Sequence, residues 1–422
     1  MKFKTLEPWR RTLYIIWAAQ FIAMMGMSLV VPFLPFYIQS LGVTAPDDLA
    51  RWSGYVFAGP FFISLFLTPV WGFLGDKYGK RLMVIRAIFG LGISQALIGF
   101  SQSVEMLLFF RLVQGAISGF IAAALSLVSS STPRQHAGYA LGLLQTASAS
   151  GGVIGPLVGG SLADIIGFRP IFFVVAALCT IAGILVVRYV QEPPSEHETS
   201  NPQYTFTSNF RYAFSSAPIR GALIIILLSQ MAILLIQPIF ALYIEHLDPS
   251  NPNLATLAGA IFSMTGVFMV ISSPWWGKRN DGQSYKRNIS IAISGAAVAC
   301  AAQGFVTQAY QLLFLRALQG FCMGGMLPAL YSYVSKTSLP SRRGGIMGIA
   351  SSSHVLAAII GPTAGGYIAS AFGLRENFYM TGILLAISLF FVKTIFVDLE
   401  ETGAAAAESP IVLPTEDSSG ID

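Results

Sequence analysis

The sequence predicts an all-α membrane protein: twelve transmembrane helices in two pseudo-symmetric six-helix bundles. Three observations carry this. Of the 422 residues, 54% are hydrophobic and 11% charged, against about 25% charged in a typical soluble domain. The chain also repeats itself about 205 residues on. Leu107-Leu108-Phe109-Phe110-Arg111-Leu112-Val113-Gln114-Gly115 returns as Leu312-Leu313-Phe314-Leu315-Arg316-Ala317-Leu318-Gln319-Gly320, and Thr68-Pro69-Val70-Trp71-Gly72 as Ser273-Pro274-Trp275-Trp276-Gly277. A repeat this long marks a duplicated bundle, and two related bundles in a membrane are the architecture of a secondary transporter. Finally, the basic residues are segregated: with the N-terminus inside, 20 of the 25 Lys and Arg fall on the inner side, which puts both termini in the cytoplasm.

Apolar runs long enough to cross about 30 Å of hydrocarbon occur at roughly 12–40, 52–73, 82–101, 104–131, 138–166, 169–191, 218–246, 254–279, 286–306, 309–336, 344–371 and 374–397. They are too long and too apolar for barrel strands. The first follows a basic N-terminus and exceeds a signal-peptide core, so it is read as an uncleaved span. The fourth and tenth carry Arg111 and Arg316, each about two turns in from the outer surface. The fifth carries Gly142, Gly151, Gly155, Pro156 and Gly159, with three glycines four residues apart on one helix face. The eleventh repeats this as Gly361, Pro362 and Gly365. Small residues let two helix backbones approach closely; here they are read as a sliding interface between the halves, flexed at the prolines. Residues 192–217 are polar and Pro/Ser-rich, a cytoplasmic linker between bundles 1–191 and 218–398. The acidic, Ala/Ser-rich tail 399–422 is expected to be disordered.

Three motifs now meet: Gly72-Phe73-Leu74-Gly75-Asp76-Lys77-Tyr78-Gly79-Lys80-Arg81 after the second span, Arg111-x-x-Gln114-Gly115-x-x-x-Gly119 on the fourth, and Gly142…Gly151…Gly155-Pro156…Gly159 on the fifth. Together, over roughly residues 10–398, they resemble the signatures of the major facilitator superfamily. The last is the pattern of its twelve-span drug:proton antiporter branch. Val31-Pro32-Phe33-Leu34-Pro35-Phe36-Tyr37 and Gly167-Phe168-Arg169-Pro170 are similar to segments of multidrug efflux members. The resemblance implies the major facilitator fold, rocking alternating access and proton antiport. It implies a cytoplasmic latch at Gly72, Asp76, Gly79, Lys80 and Arg81, and a cavity lined by the first, fourth, seventh and tenth spans. The second latch copy keeps Gly277 and Asp281 but has Ser284 in place of Gly79.

A guanidinium inside a span costs about 2.5–3.5 kcal/mol on insertion scales, so Arg111 and Arg316 are expected to face the bundle interior. Gln114 and Gln319 lie three residues on, along the same face. Gln20 and Met24, with Met27 and Val31, form a stripe on the first span; Gln230 and Gln237 lie two turns apart on the seventh. Such a cavity, with two cations and no interior carboxylate, suits an anionic or amphipathic molecule. His354, with Arg111, is the candidate for proton coupling, because no acidic residue lies mid-span. The expected partners are a small-molecule substrate, protons and membrane lipid, for a monomer in the bacterial inner membrane that binds no nucleic acid. No metal or cofactor is expected, the proton gradient being the energy source. The three cysteines stand alone, and no catalytic constellation points to an enzyme. An importer or bidirectional carrier of an anionic metabolite or chelator on the same fold stays open as the alternative.

Overall fold

The computed structural model describes residues 7–117, 119–192, 205–282 and 284–396, and among them α-helices make twelve crossings. The first crossing is α1 (Pro8–Leu29) and α2 (Leu34–Ser40); α3 (Pro46–Tyr78) and α4 (Lys80–Gly99) are the second and third. The fourth, read from sequence as one run, is two helices, α5 (Val104–Ile117) and α6 (Phe120–Ser131). Gly119 between them takes a left-handed φ of 111° that a side chain would resist. The fifth and sixth are α7 (Ala137–Ile166) and α8 (Phe168–Tyr189). The linker holds a helix that its composition did not suggest, α9 (Phe206–Ser215).

The second half repeats the first. Its opening crossing is α10 (Ala217–Ile236), a 3-10 turn at Gln237–Ile239 and α11 (Phe240–Leu247). The interruption sits at Pro238, where the first crossing is interrupted near Pro32; proline supplies no N–H to carry a helix through. Then come α12 (Leu254–Gly282), α13 (Tyr285–Gln303), α14 (Gln311–Thr337), α15 (Arg343–Phe372) and α16 (Glu376–Ile395). Eleven crossings are long and apolar enough to span a bilayer by composition alone. The exception, α13, carries Lys286, Arg287, Asn288 and Ser290 in its first turns and packs against α14 and α16. The predicted tail 399–422 and linker residues 193–204 lie outside the described residues.

Matching contacts hold the two halves. The Trp71 Nε1 donates to the Ala116 carbonyl at 2.8 Å, and the Trp276 Nε1 to that of Phe321 at 2.8 Å. The Tyr37 hydroxyl donates to the Ile98 carbonyl, the Tyr243 hydroxyl to that of Gln303. Each half has its own buried apolar cluster. The exceptions are Ala50, which joins the second-half cluster, and Ala241, Leu242 and Ala255, which join the first.

Those exceptions all lie at the end opposite the one where α1 begins and α16 stops. The end with α1's start is the terminus end, the other the distal end. At the distal end the halves touch backbone to backbone. A Cβ on Gly54 of α3 would lie 2.6 Å from the Pro362 carbonyl oxygen of α15, and one on Gly366 would lie 2.5 Å from that of Ala50. Gly160 of α7 abuts the Ala255 carbonyl, and Gly259 of α12 that of Pro156. Toward the terminus end the same four helices part: Gly72, Gly138, Gly142, Gly277, Gly344 and Gly348 have nothing within 4 Å of a Cβ position. The molecule is therefore closed at the distal end and open at the terminus end.

Candidate functional site

The two repeated arginines have different surroundings. Pro60 lies inside α3 and offers no N–H to the carbonyl four residues back, that of Val56. The Arg111 Nε donates to this carbonyl at 3.1 Å, and its Nη1 to the Gln114 Oε1 at 2.7 Å. Gln114 lies on the same face as Arg111, as its spacing predicts, and the guanidinium also holds the backbone carbonyl that Pro60 leaves without its helical donor. At the position matching Pro60 the second half has Thr265, whose backbone can complete the helix. Arg316 is 5% exposed, and its Nε and Nη2 are buried without a hydrogen-bond partner. Its guanidinium carbon lies 3.5 Å from the Phe240 ring centroid and 5.4 Å from that of Phe262. Gln319 does not pair with Arg316; its Oε1 accepts from the Gln303 Nε2 at 3.0 Å.

The predicted cavity glutamines divide likewise. Gln20 is fully buried and donates to the Leu144 carbonyl and the Ser148 hydroxyl, so it joins α1 to α7 and does not line an open path. Met24 and Gln237 are partly buried, Met27 exposed and Gln230 buried. His354 is partly buried on α15 toward the open end, its Nδ1 without a partner. One contact absent from the sequence reading, the Trp17 Nε1 donating to the Thr146 hydroxyl at 3.0 Å, adds to the α1–α7 seam.

The glycine stripe is corrected by the structure. Gly151, Gly155 and Gly159 pack on α1, inside one half: a Cβ on Gly155 would lie 2.8 Å from the Met25 carbonyl oxygen. Gly361 stands in the same relation to Met231 of α10, also at 2.8 Å, and Gly365 abuts Leu235. The contacts between halves are made one residue along, by Pro156, Gly160, Pro362 and Gly366. One residue turns a helix by about 100°, enough to change the neighbour it faces. Gly142, grouped with the stripe by spacing, faces open space: a Cβ there would meet nothing within 4 Å.

The loop motif is built around an acid from the linker. Gly79 takes a φ of 102°, and the Glu192 carboxylate fills the space where its Cβ would be. Glu192 accepts from the backbone N–H groups of Lys80 at 2.7 Å and Arg81 at 2.9 Å, capping α4 where the helix dipole favours an anion. The Arg81 Nη2 donates to the Val187 carbonyl. In the second half Ser284 replaces Gly79 and caps its own helix, accepting from the Arg287 N–H at 3.2 Å. Asp76 is exposed and forms no hydrogen bond or ion pair with the described residues; the side chain of Asp281 lies outside them.

At the closed end the sequence reading missed an acid in use. Asp164, at the end of α7, accepts from the backbone N–H groups of Ala255 at 3.3 Å and Thr256 at 2.7 Å. It caps the first turn of α12 from the other half. The Ser263 hydroxyl donates to the Val153 carbonyl at 2.7 Å, Gln39 reaches Glu245 at 3.5 Å, and the Tyr55 and Tyr367 hydroxyls are hydrogen-bonded.

Two duplicated bundles, sealed at one end and parted at the other, have the architecture of a multi-pass membrane transporter. The family model described as "Major Facilitator Superfamily" matches residues 16–306 and 255–414. The multidrug resistance protein MdtG of Proteus mirabilis is 33% identical over 91% of this chain and 96% of its own. MdtG of a Rahnella strain is 32% identical over 89% and 91%. The chain belongs to the major facilitator superfamily. Among solved structures, a bacterial homologue of the human lysosomal transporter Spinster, inward-facing and occupied, superposes with a TM-score of 0.76 at 15% identity, covering 92% of this chain and 97% of that one. The human organic anion transporter MFSD10 gives 0.65 at 17%, covering 92% and 100%.

Proposed function

We propose that this transporter exports amphipathic or anionic small molecules across a bacterial inner membrane in exchange for protons, with both termini in the cytoplasm. The observation that carries the reading is the one-sided closure. The Asp164, Ser263 and Tyr55 contacts between the halves cluster at the distal end, while glycines on the same helices stand free at the other. This is one end state of an alternating-access cycle, open to the side rich in Lys and Arg, which the charge asymmetry makes the cytoplasm. Efflux is supported by the MdtG relatives, and an anionic preference by interior arginines with no mid-span carboxylate. Asp76, exposed and without a partner among the described residues, is the latch residue expected to engage when the cytoplasmic side closes. His354 is the proposed proton carrier, since Arg111 is occupied by the Val56 carbonyl. Everted vesicles with an imposed proton gradient test this. Uptake of anionic or neutral amphipaths driven by that gradient is expected, abolished by His354→Ala. Uptake in right-side-out cells down the gradient, or preference for quaternary ammonium dyes, would sink it.

A further inference from the structure

We infer that the duplication has divided the labour of its two arginines: Arg316 alone is the oxyanion-recognition residue, and Arg111 is a structural brace. The inference deepens the substrate preference proposed above and rests on it. Two matched positions show the division. Where the first half has Pro60, which leaves the Val56 carbonyl for Arg111, the second has Thr265, which leaves nothing for Arg316 to hold. Where the first has Leu34, the second has Phe240, stacked 3.5 Å from the Arg316 guanidinium. A second ring beside the Arg316 guanidinium, Phe262 at 5.4 Å, has its counterpart Phe57 in the first half and is common to both.

The unpartnered donors on Arg316 are Nε and Nη2. They share one edge of the guanidinium and point two parallel N–H groups in one direction, the fork that a carboxylate or sulfonate accepts with both oxygens. Two further buried polar atoms on the helices packed against α14, the Thr265 Oγ1 on α12 and the Gln303 Oε1 on α13, also lack partners. Native interiors rarely leave such atoms unpaired, and a buried cation with two open donors marks a place built for a polar guest. The Phe240 and Phe262 rings shield the cation from water and offer a flat apolar wall beside it. The fitting ligand is an organic acid whose single planar oxyanion is attached directly to an apolar or aromatic body.

A structural arginine and a recognition arginine respond oppositely to removal. Losing Arg111 strands a buried carbonyl; losing Arg316 removes an uncompensated buried charge, which relaxes the empty protein. The test uses the purified full chain in detergent, with 2-naphthoate as probe and its neutral isostere 2-naphthamide as control. Melting midpoints are read against probe concentration for the wild type, Arg316→Gln, Arg316→Lys, Arg111→Gln and, in case the last fails to fold, Pro60→Ala/Arg111→Gln. The wild type is expected to be stabilised by the acid and not by the amide. Arg316→Gln should melt at or above the wild type without probe and bind the acid about 30-fold more weakly or worse, the scale of a lost buried charge partner. Arg316→Lys should keep part of the response, and the Arg111 variants should keep all of it while Arg111→Gln melts lower. Equal responses to acid and amide, a full response in Arg316→Gln, a response lost in the folded Arg111 double variant, or no wild-type response at millimolar acid would each overturn the inference. Failure of proton-driven export with this pattern intact would count against the antiport reading alone.

Discussion

Pro60 withholds one backbone donor from α3, and Arg111 supplies the replacement from α5. The two residues are therefore thermodynamically dependent. Arg111→Gln leaves the Val56 carbonyl unpaired in an apolar setting and is expected to cost about 1–3 kcal/mol. Pro60→Ala restores a helical N–H to that carbonyl, so in its background the same substitution should cost markedly less. A double-mutant cycle on thermal melts measures the coupling; simple additivity would refute the brace. Arg111 and Gln114 were legible in the sequence as cavity candidates on one helix face. The carbonyl they serve was not, because nothing in a linear string says that residue 56 lies beside residue 111.

At the scale of elements, the α1–α7 seam and the α7–α12 contact are separated by a single residue step and should respond differently. Gly155→Leu overpacks two helices of the same half, which stay together throughout a rocking cycle, so it should lower folded yield and stability by more than about 1–3 kcal/mol. Gly160→Leu drives a side chain into the Ala255 backbone of the other half, so it should fold and favour the distal-open state. Alkylation of cysteines placed at the two mouths separates these outcomes; identical phenotypes would refute the assignment of faces. The helix α9 is the other element with a consequence. Phe206, Phe210 and Phe214 lie at four-residue spacing, 72%, 45% and 42% exposed, with adjacent rings in contact. On its other face Asn209 and Ala213 are buried, and Arg342 donates to the Ser208 carbonyl and hydroxyl. An amphipathic helix with an aromatic face beside basic side chains belongs in the bilayer interface. A spin label at Phe210 is expected to be relaxed by oxygen more than by a water-soluble nickel chelate, and the reverse would place α9 in water. Composition flagged this segment as a polar linker because its three phenylalanines are diluted among Ser, Asn and Thr; only their helical phase makes a face.

For the whole molecule, Asp164 and Asp76 stand at opposite ends of opposite states. Asp164 ties α7 to the first turn of α12 and so stabilises the distal-closed form seen here; a cap of this kind contributes about 0.5–2 kcal/mol. Asp164→Ala should therefore shift the population toward the distal-open form by roughly 2- to 30-fold. Asp76 makes no bond to the described residues in the present form, so Asp76→Asn is expected to leave it untouched and to weaken only the opposite one. Spin-label distances between Thr44 and Ser250 in the distal loops read the balance: longer for Asp164→Ala, unchanged or shorter for Asp76→Asn. Shifts in the same direction would refute a two-gate cycle.

The sequence by itself determined the crossings, the duplication, the basic side and the motifs, since hydropathy, charge and glycine spacing act over a few residues of chain. It also singled out Arg111, Arg316 and Asp76 by their cost or their spacing. Only the tertiary structure decided which arginine holds a backbone carbonyl that a proline leaves unpaired, which face of α7 meets the other half, and that Glu192 and Asp164 each cap a helix distant in sequence. Those outcomes depend on the rotation and register of helices brought together from far along the chain. A turn of about 100° per residue makes neighbours in sequence face different partners.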